Sequence, residues 1–236
     1  MRVALFIPCF VDQLSPQVGE ATASILRRLG HQVTYSEAQT CCGQPALNAG
    51  YFEEARRVAT RQLAVLAEGD PDAVVAPSGS CVAALAVEGR HRLGLDHPLL
   101  ERLHELSAFL VDVLGVEDVG ASFQGRVAWH DACHPMRQLG IRGAPRRLLA
   151  RVRGLELVEP TSADECCGFG GTFSVKLPEL SARIGNRKAD AILATRPDAV
   201  ASTESSCLYQ IAGILGRRGS TVRTLHLAEI LAGGAA

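Results

Sequence analysis

A chain of 236 residues that is 47% apolar has enough material for one large or two small domains and is too apolar to stay disordered. Its 24 Lys+Arg against 25 Asp+Glu give a net charge of −1, so there is no electrostatic case for nucleic acid. No apolar run reaches the ~20 residues of a membrane helix, and the start lacks the basic and cleavage regions of a signal peptide, so a soluble, cytoplasmic protein is expected.

The elements alternate along the chain. Val3–Ile7 is a first strand. Pro16–Leu29 carries Val18, Ala21, Ile25 and Leu29 at helical spacing, and Gly30 stops it. A strand at Val33–Tyr35, a long helix over Asn48–Ala67 and a strand at Ala73–Ala76 follow, and Val82–Gly89 starts another helix. His104–Leu114 reads as a helix closing the first half, and Val116–Gln124 as the linker. The second half repeats the order: strand Val127–His130, helix Pro145–Val152, strand Leu155–Val158, helix Lys176–Thr195, strand Ala199–Ser202 and helix Leu208–Arg217. A strand at Val222–Leu225 and a helix at Leu227–Leu231 end it. Strands separated by helices predict an α/β fold of two pseudo-symmetric, Rossmann-like halves with parallel sheets.

The halves come from an internal duplication, placed here as residues 1–120 and 121–236. Arg2-Val3-Ala4 recurs as Arg126-Val127-Ala128, Gly30 as Gly154, and Pro71-Asp72-Ala73-Val74 as Pro197-Asp198-Ala199-Val200. Cysteine carries the repeat most clearly. Cys9, Cys41, Cys42 and Cys81 recur as Cys133, Cys166, Cys167 and Cys207, at offsets of 124, 125, 125 and 126. These are all eight cysteines of the chain. Cys9, Cys81, Cys133 and Cys207 each follow a strand that feeds a helix, where open α/β sheets bind ligands, so they are expected to face a common crevice. Each adjacent pair, followed by Gly43 or Gly168, precedes a helix, whose N-terminus favours the thiolate.

Eight thiols in a reducing compartment point to metal ligands rather than disulfides. Thiolates select zinc, Cu(I) or iron–sulfur clusters, and four suit either a structural zinc or a [4Fe–4S] cluster. Structural zinc sites usually use short Cys-x-x-Cys knuckles. Here the separations are 32 and 39 residues in the first set and 33 and 40 in the second, with an adjacent pair as the only close one. Two neighbours fit two irons of a larger cluster more easily than two corners around one ion, which favours iron–sulfur and leaves zinc as the alternative. A zinc-stabilised scaffold and a dithiol redox enzyme using the adjacent pairs remain rival readings.

With these residues in view, the chain resembles the CCG-domain (cysteine-rich, heterodisulfide reductase B-like) family, which also includes the iron–sulfur subunit of glycolate oxidase. The stretches Gln39-Thr40-Cys41-Cys42-Gly43-Gln44-Pro45-Ala46, Pro77-Ser78-Gly79-Ser80-Cys81 and Cys166-Cys167-Gly168-Phe169-Gly170-Gly171-Thr172 look like its lactate-utilisation iron–sulfur group. The resemblance implies an iron–sulfur electron-transfer subunit of an L-lactate-oxidising complex that yields pyruvate, with the other subunits as separate chains. Many members of the family end the motif in Cys-x-x-Cys. Here Ser78 and Glu204 stand three before Cys81 and Cys207, and Ser205 stands where some relatives carry Cys-x-Cys. Four thiols per set then suit an ordinary cubane or a cluster with an oxygen ligand.

Other residues have two readings each. His130 and His134 flank Cys133, either as groups that tune or ligate a cluster or as polar residues at a strand end. Gly168, Gly170 and Gly171 form a turn that either brings amides to sulfur or only reverses the chain. Asp131 and Glu165 read as solvated loop carboxylates ahead of proton carriers, and Arg217-Arg218 as a charge pair at a helix C-terminus.

Overall fold

Short β-branched and alanine-rich runs build the strands in a computed structural model that describes residues 1–233. In the first half they are β1 (Arg2–Leu5), β2 (Gln32–Thr34), β3 (Ala73–Ala76) and β4 (Leu103–Glu105), in the spatial order β2-β1-β3-β4. In the second they are β5 (Ser122–Trp129), β6 (Arg153–Val158), β7 (Ala199–Ser202) and β8 (Arg223–His226), in the order β6-β5-β7-β8. Every pairing is parallel. The registers correspond as well: Val3 sits between Val33 and Ala73, and Val127 between Leu157 and Ala199. The architecture is therefore α/β with two repeated parallel sheets.

Strand alternation decides how the halves join. In β1, Val3 and Leu5 point to one face, and Ala4 and Phe6 to the other. In β5, Val127 and Trp129 oppose Ala128 in the same way. The first set from each sheet enters a single core shared by both halves, together with helices Pro16–Arg28, Gly143–Leu149 and Leu227–Leu231. The second set enters a separate core in each half, under Phe52–Leu66 in one and Pro178–Ala194 in the other. Trp129, Phe109, Ile25 and Leu148 are fully buried in the shared core. Each such side chain contributes about 1.5–3 kcal/mol of burial, so neither half has its complete core without the other.

Several expected boundaries move. The helix expected over His104–Leu114 begins with β4, because Leu103 and Glu105 are buried on the edge of the first sheet, and it turns helical only at Leu106. A strand of three residues is too short to show its period. The Val116–Gln124 linker is partly β5, whose register shifts between Ser122 and Gly125, and Val119, Ala121 and Phe123 are buried in the shared core. The helix expected over Lys176–Thr195 starts at Pro178 and runs to Ala194, and a separate short helix outside the expected elements, Thr172–Lys176, precedes it. The helix expected over Asn48–Ala67 starts only at Phe52 and runs to Leu66, because Gly50 with φ +87° separates it from a short helix, Gln44–Asn48, that is also outside the expected elements. The helix started by Val82 is longer than read, running through Gly79–Ala83, Ala84–Glu88 and Gly89–Leu93 with a π-type middle. Among the described residues, no helix is long and apolar enough to cross a membrane.

Candidate metal centres

Each single cysteine is placed by a strand-to-helix turn. Cys9 and Cys133 are the first residues of helices Cys9–Leu14 and Cys133–Gln138, just after β1 and β5. Cys81 and Cys207 lie in the first turns of Gly79–Ala83 and Ser205–Arg217, just after β3 and β7. The adjacent pairs are placed by a glycine. Gly43 and Gly168 have φ of +86° and +90°. A Cβ there would meet the Ala55 carbonyl oxygen at 2.8 Å in one half and that of Ser181 at 2.5 Å in the other. Only glycine combines that backbone with that close approach to a helix.

The sulfurs follow the same order in both halves. Cys9 donates to Cys41 at 3.7 Å and Cys42 to Cys81 at 3.5 Å, and Cys41 and Cys42 act on each other's thiols. In the second half the corresponding neighbours, Cys133 with Cys166, Cys166 with Cys167 and Cys167 with Cys207, act on one another in the same way. Four thiolates ~2.3 Å from one ion lie about 3.8 Å apart; the pairs Cys9–Cys41 and Cys42–Cys81 have that spacing, but among the described residues no three cysteine sulfurs lie mutually within 4.8 Å.

Backbone amides reach these sulfurs. Gly43 N donates to Cys41 Sγ at 3.4 Å, Gly168 N to Cys166 Sγ at 3.2 Å and Phe169 N to Cys167 Sγ at 3.5 Å. The glycine turn thus does more than reverse the chain. Hydrogen bonds from Cys42 and Cys9 pull Cys41 down to about 3, and those from Cys133 and Cys167 pull Cys166 down to about 2. The donors pay the reverse shift: Cys9, Cys42, Cys133 and Cys167 are all raised, first by those same hydrogen bonds and then by burial.

All eight cysteines line one cavity of about 220 Å³ between the halves. Phe10 of the first half packs edge-on against Phe169 and Tyr209 of the second, with ring centroids 5.8 and 5.4 Å apart, along one side of it. Glu204 crosses the boundary. Its carboxylate accepts from the Ser80 amide at 2.5 Å and from the hydroxyls of Ser78 and Ser80 at 3.0 Å each. Ser78 Oγ in turn accepts from Cys81 N at 3.4 Å, capping that helix. The two residues at the missing-thiol positions are thus bonded to each other. Burial raises Glu204 to about 7, against the pull of the Ser80 amide and the two hydroxyls.

The loops carrying the pairs are each tied down by one buried polar side chain. Gln62 accepts from Thr40 N at 2.6 Å, and Lys188 Nζ donates to the carbonyls of Ser162 and Ala163 at 2.6 and 3.1 Å. Neither was singled out from the sequence. The available signal is a polar residue inside an apolar helical stripe: Gln62 among Ala55, Ala59, Leu63 and Leu66, and Lys188 among Gly185, Ala189 and Ile192.

The flanking residues sort themselves. Asp131 is not a solvated loop carboxylate: it is 5% exposed, and both its oxygens meet Arg146 at 2.8 Å while Trp129 Nε1 donates at 2.8 Å. Burial pushes its carboxyl up, but the bonds from Arg146 and Trp129 outweigh it and leave the group lowered. Glu165 pairs with Arg187 at the surface. Arg217 ends its helix, and Arg218 reaches Asp190 and Asn186. His134 Nδ1 is 3.5 Å from Cys133 Sγ. His130 is fully buried, and a nitrogen of its ring lies within 4.8 Å of the sulfurs of Cys167 and Cys207.

This geometry meets three kinds of known protein. A Lactate utilization protein A from Geobacillus kaustophilus (strain HTA426) is 45% identical, covering 98% of this chain and 98% of its own. One from Bacillus subtilis (strain 168) is 40% identical over 98% and 99%. Among solved structures, an aspartate racemase homologue from Pyrococcus horikoshii OT3 aligns with 98% of this chain and 95% of its own at 11% identity and a TM-score of 0.35. The pattern described as "CCG: Cysteine-rich domain" matches residues 3–86 and again 127–212, each stretch ending beyond the last cysteine of its set. The chain belongs to the CCG cysteine-rich-domain family, in two copies, and is homologous to the proteins named Lactate utilization protein A.

Proposed function

We propose that this chain is the iron–sulfur electron-transfer subunit of an L-lactate-oxidising complex that yields pyruvate, acting with other subunits in the cytoplasm. The supporting observation is that four sulfurs gather in each half and both sets line one cavity. The names of the homologues supply the metabolic context. Cys9, Cys41, Cys42 and Cys81 would hold one centre, and Cys133, Cys166, Cys167 and Cys207 the other. The donor set fits, being soft, clustered and served by amides that offset thiolate charge. A bound cluster would supply one-electron storage. The protein would set its potential through the amide–sulfur bonds and burial. The shared core keeps the two sets at a constant separation, as a relay requires.

The sulfur spacings of 3.5 and 3.7 Å favour a second reading, a zinc-stabilised partner-binding protein. Anaerobic purification followed by iron, sulfide and zinc analysis separates the two. A brown protein with broad visible absorption, matched by Mössbauer spectra, is the expected result. A colourless protein holding stoichiometric zinc and no sulfide would replace the proposal with the scaffold.

A further inference from the structure

The two sulfur sets sit in unlike surroundings at one place. The segment Phe6-Ile7-Pro8-Cys9-Phe10 corresponds to His130-Asp131-Ala132-Cys133-His134. The match is structural: Phe6 N donates to Val75 O at 3.0 Å, and His130 N to Ala201 O at 2.9 Å, across equivalent strands. Phe6 and His130 are 0% and 1% exposed. A buried imidazole needs partners for its ring nitrogens, yet neither Nδ1 nor Nε2 of His130 makes a well-formed hydrogen bond; the Ala163 carbonyl beside the ring is already taken by Lys188 Nζ and Asp131 N. What lies within 4.8 Å of the ring nitrogen is the sulfur of Cys167 and that of Cys207.

Asp131, the neighbouring carboxylate, is not engaged by the imidazole: its oxygens are taken by Arg146 and Trp129.

We infer that His130 is a metal ligand of the second centre, giving it a mixed nitrogen and sulfur donor set while the first centre is held by sulfur alone. The inference rests on the iron–sulfur reading above and deepens it. The two centres then differ in potential. Imidazole brings no negative charge, so with His130 in place of one of the four thiolates the second centre is the more positive of the two, which fixes the direction in which an electron settles between them.

The test uses the full chain grown on ¹⁵N-labelled histidine, loaded anaerobically with iron and sulfide and then reduced. Electron–nuclear double resonance reports nitrogen bound directly to a paramagnetic centre. The expected result is a strong ¹⁵N coupling in the wild type that is lost in His130→Phe, together with a more negative potential for that variant's second centre. His130→Phe copies the residue the first half carries at this place, and the wild-type spectrum stands even if the variant folds poorly. Iron bound at the second set with no strong ¹⁵N coupling would overturn the ligand and leave the iron–sulfur reading intact. A coupling that persists in His130→Phe would overturn it too and move the nitrogen to another histidine. A chain that takes up no iron at either set would sink the iron–sulfur reading itself.

Discussion

The first half surrounds its sulfurs with aromatic and neutral groups, and the second with ionisable ones. Phe6 and Phe10 face His130 and His134, Gln62 faces Lys188, and Ser78 faces Glu204. The helix caps after β4 and β8 depart from the contrast, since both are ionisable. Glu105 and His226 share φ −75° and ψ 146°, and each accepts from the amide two residues on or more, one through a carboxylate and one through Nδ1. What stays alike is whatever fixes position: strand order, register, the glycine turn and the order of the sulfurs. Four thiols can be placed by the fold alone, and the field around them is set separately by a handful of buried side chains. Two copies of one frame can therefore hold centres of different character.

The strongest way to break this comparison is to remove one centre at a time. Cys42 and Cys167 are each 3% exposed and sit at the middle of their sulfur chains. Cys42→Ser is expected to abolish the first centre and keep the second, and Cys167→Ser the reverse. Iron and sulfide counts with Mössbauer spectra on anaerobic protein check this. Loss of both centres from either substitution would show one shared cluster in place of two.

Glu204 sharpens the comparison next, because it joins the halves. Its pKa rises from 4.5 to about 7 on burial. Between those values the folded chain holds a proton that the unfolded chain has released. Stability from this group is therefore complete below pH ~4.5 and is lost as pH climbs through ~7, about 3 kcal/mol in all. Glu204→Gln keeps an acceptor for the Ser80 amide and offers its own amide to the two hydroxyls. Urea titrations at pH 5 and pH 8 under reducing conditions should show the loss in the wild type and little of it in the variant. An equal pH response in both would mean that Glu204 is ionised throughout.

Much of this was legible before the structure. The offsets of 124 to 126 between the cysteine sets already implied two copies of one frame, and parallel sheets followed from strands alternating with helices. The sulfur chains were legible too, because a residue just past a parallel strand has only the crevice to enter. The rest depends on three-dimensional neighbours. Leu103–Glu105 is a strand only because β3 lies beside it, and three residues cannot show a period of two. Ser78 and Glu204 read as missing thiols, and their bond spans 126 positions. Asp131 read as a loop carboxylate because Arg146, fifteen residues away, carries no sequence mark of pairing with it.

Lys188 and Gln62 test whether the loops are held by opposite chemistry. Lys188→Met keeps most of the buried stem and removes the donor to Ser162 and Ala163. Both carbonyls keep a backbone partner, Ser162 O from Glu165 N and Ala163 O from Asp131 N, so the loss is that of the charge-assisted bonds, about 1.5–3 kcal/mol, partly offset because a buried ammonium no longer needs desolvating. Gln62→Leu leaves Thr40 N without its acceptor in the first half and should cost a similar amount. Each substitution should loosen only its own sulfur set, read as faster alkylation of Cys166 and Cys167 in one case and of Cys41 and Cys42 in the other. Equal loosening of both sets by Lys188→Met would mean that the loops are coupled through the shared core.

The smallest effect is expected at Ser78, three residues before Cys81. Its hydroxyl accepts from Cys81 N at 3.4 Å and donates to Glu204 at 3.0 Å. Ser78→Ala removes a helix cap, worth about 1 kcal/mol, while Ser80 still gives Glu204 an amide and a hydroxyl. The sulfur chain from Cys9 to Cys81 does not pass through Ser78. Iron content should therefore match the wild type, and the urea midpoint should fall slightly. If Ser78→Ala lost a whole cluster while Cys42→Ser lost none, the first centre would be held by an oxygen ligand and the four-thiol assignment would be wrong. Ser78→Cys carries the same logic the other way: a fifth thiol beside Cys81 should leave the second half's spectrum unchanged and alter only the first.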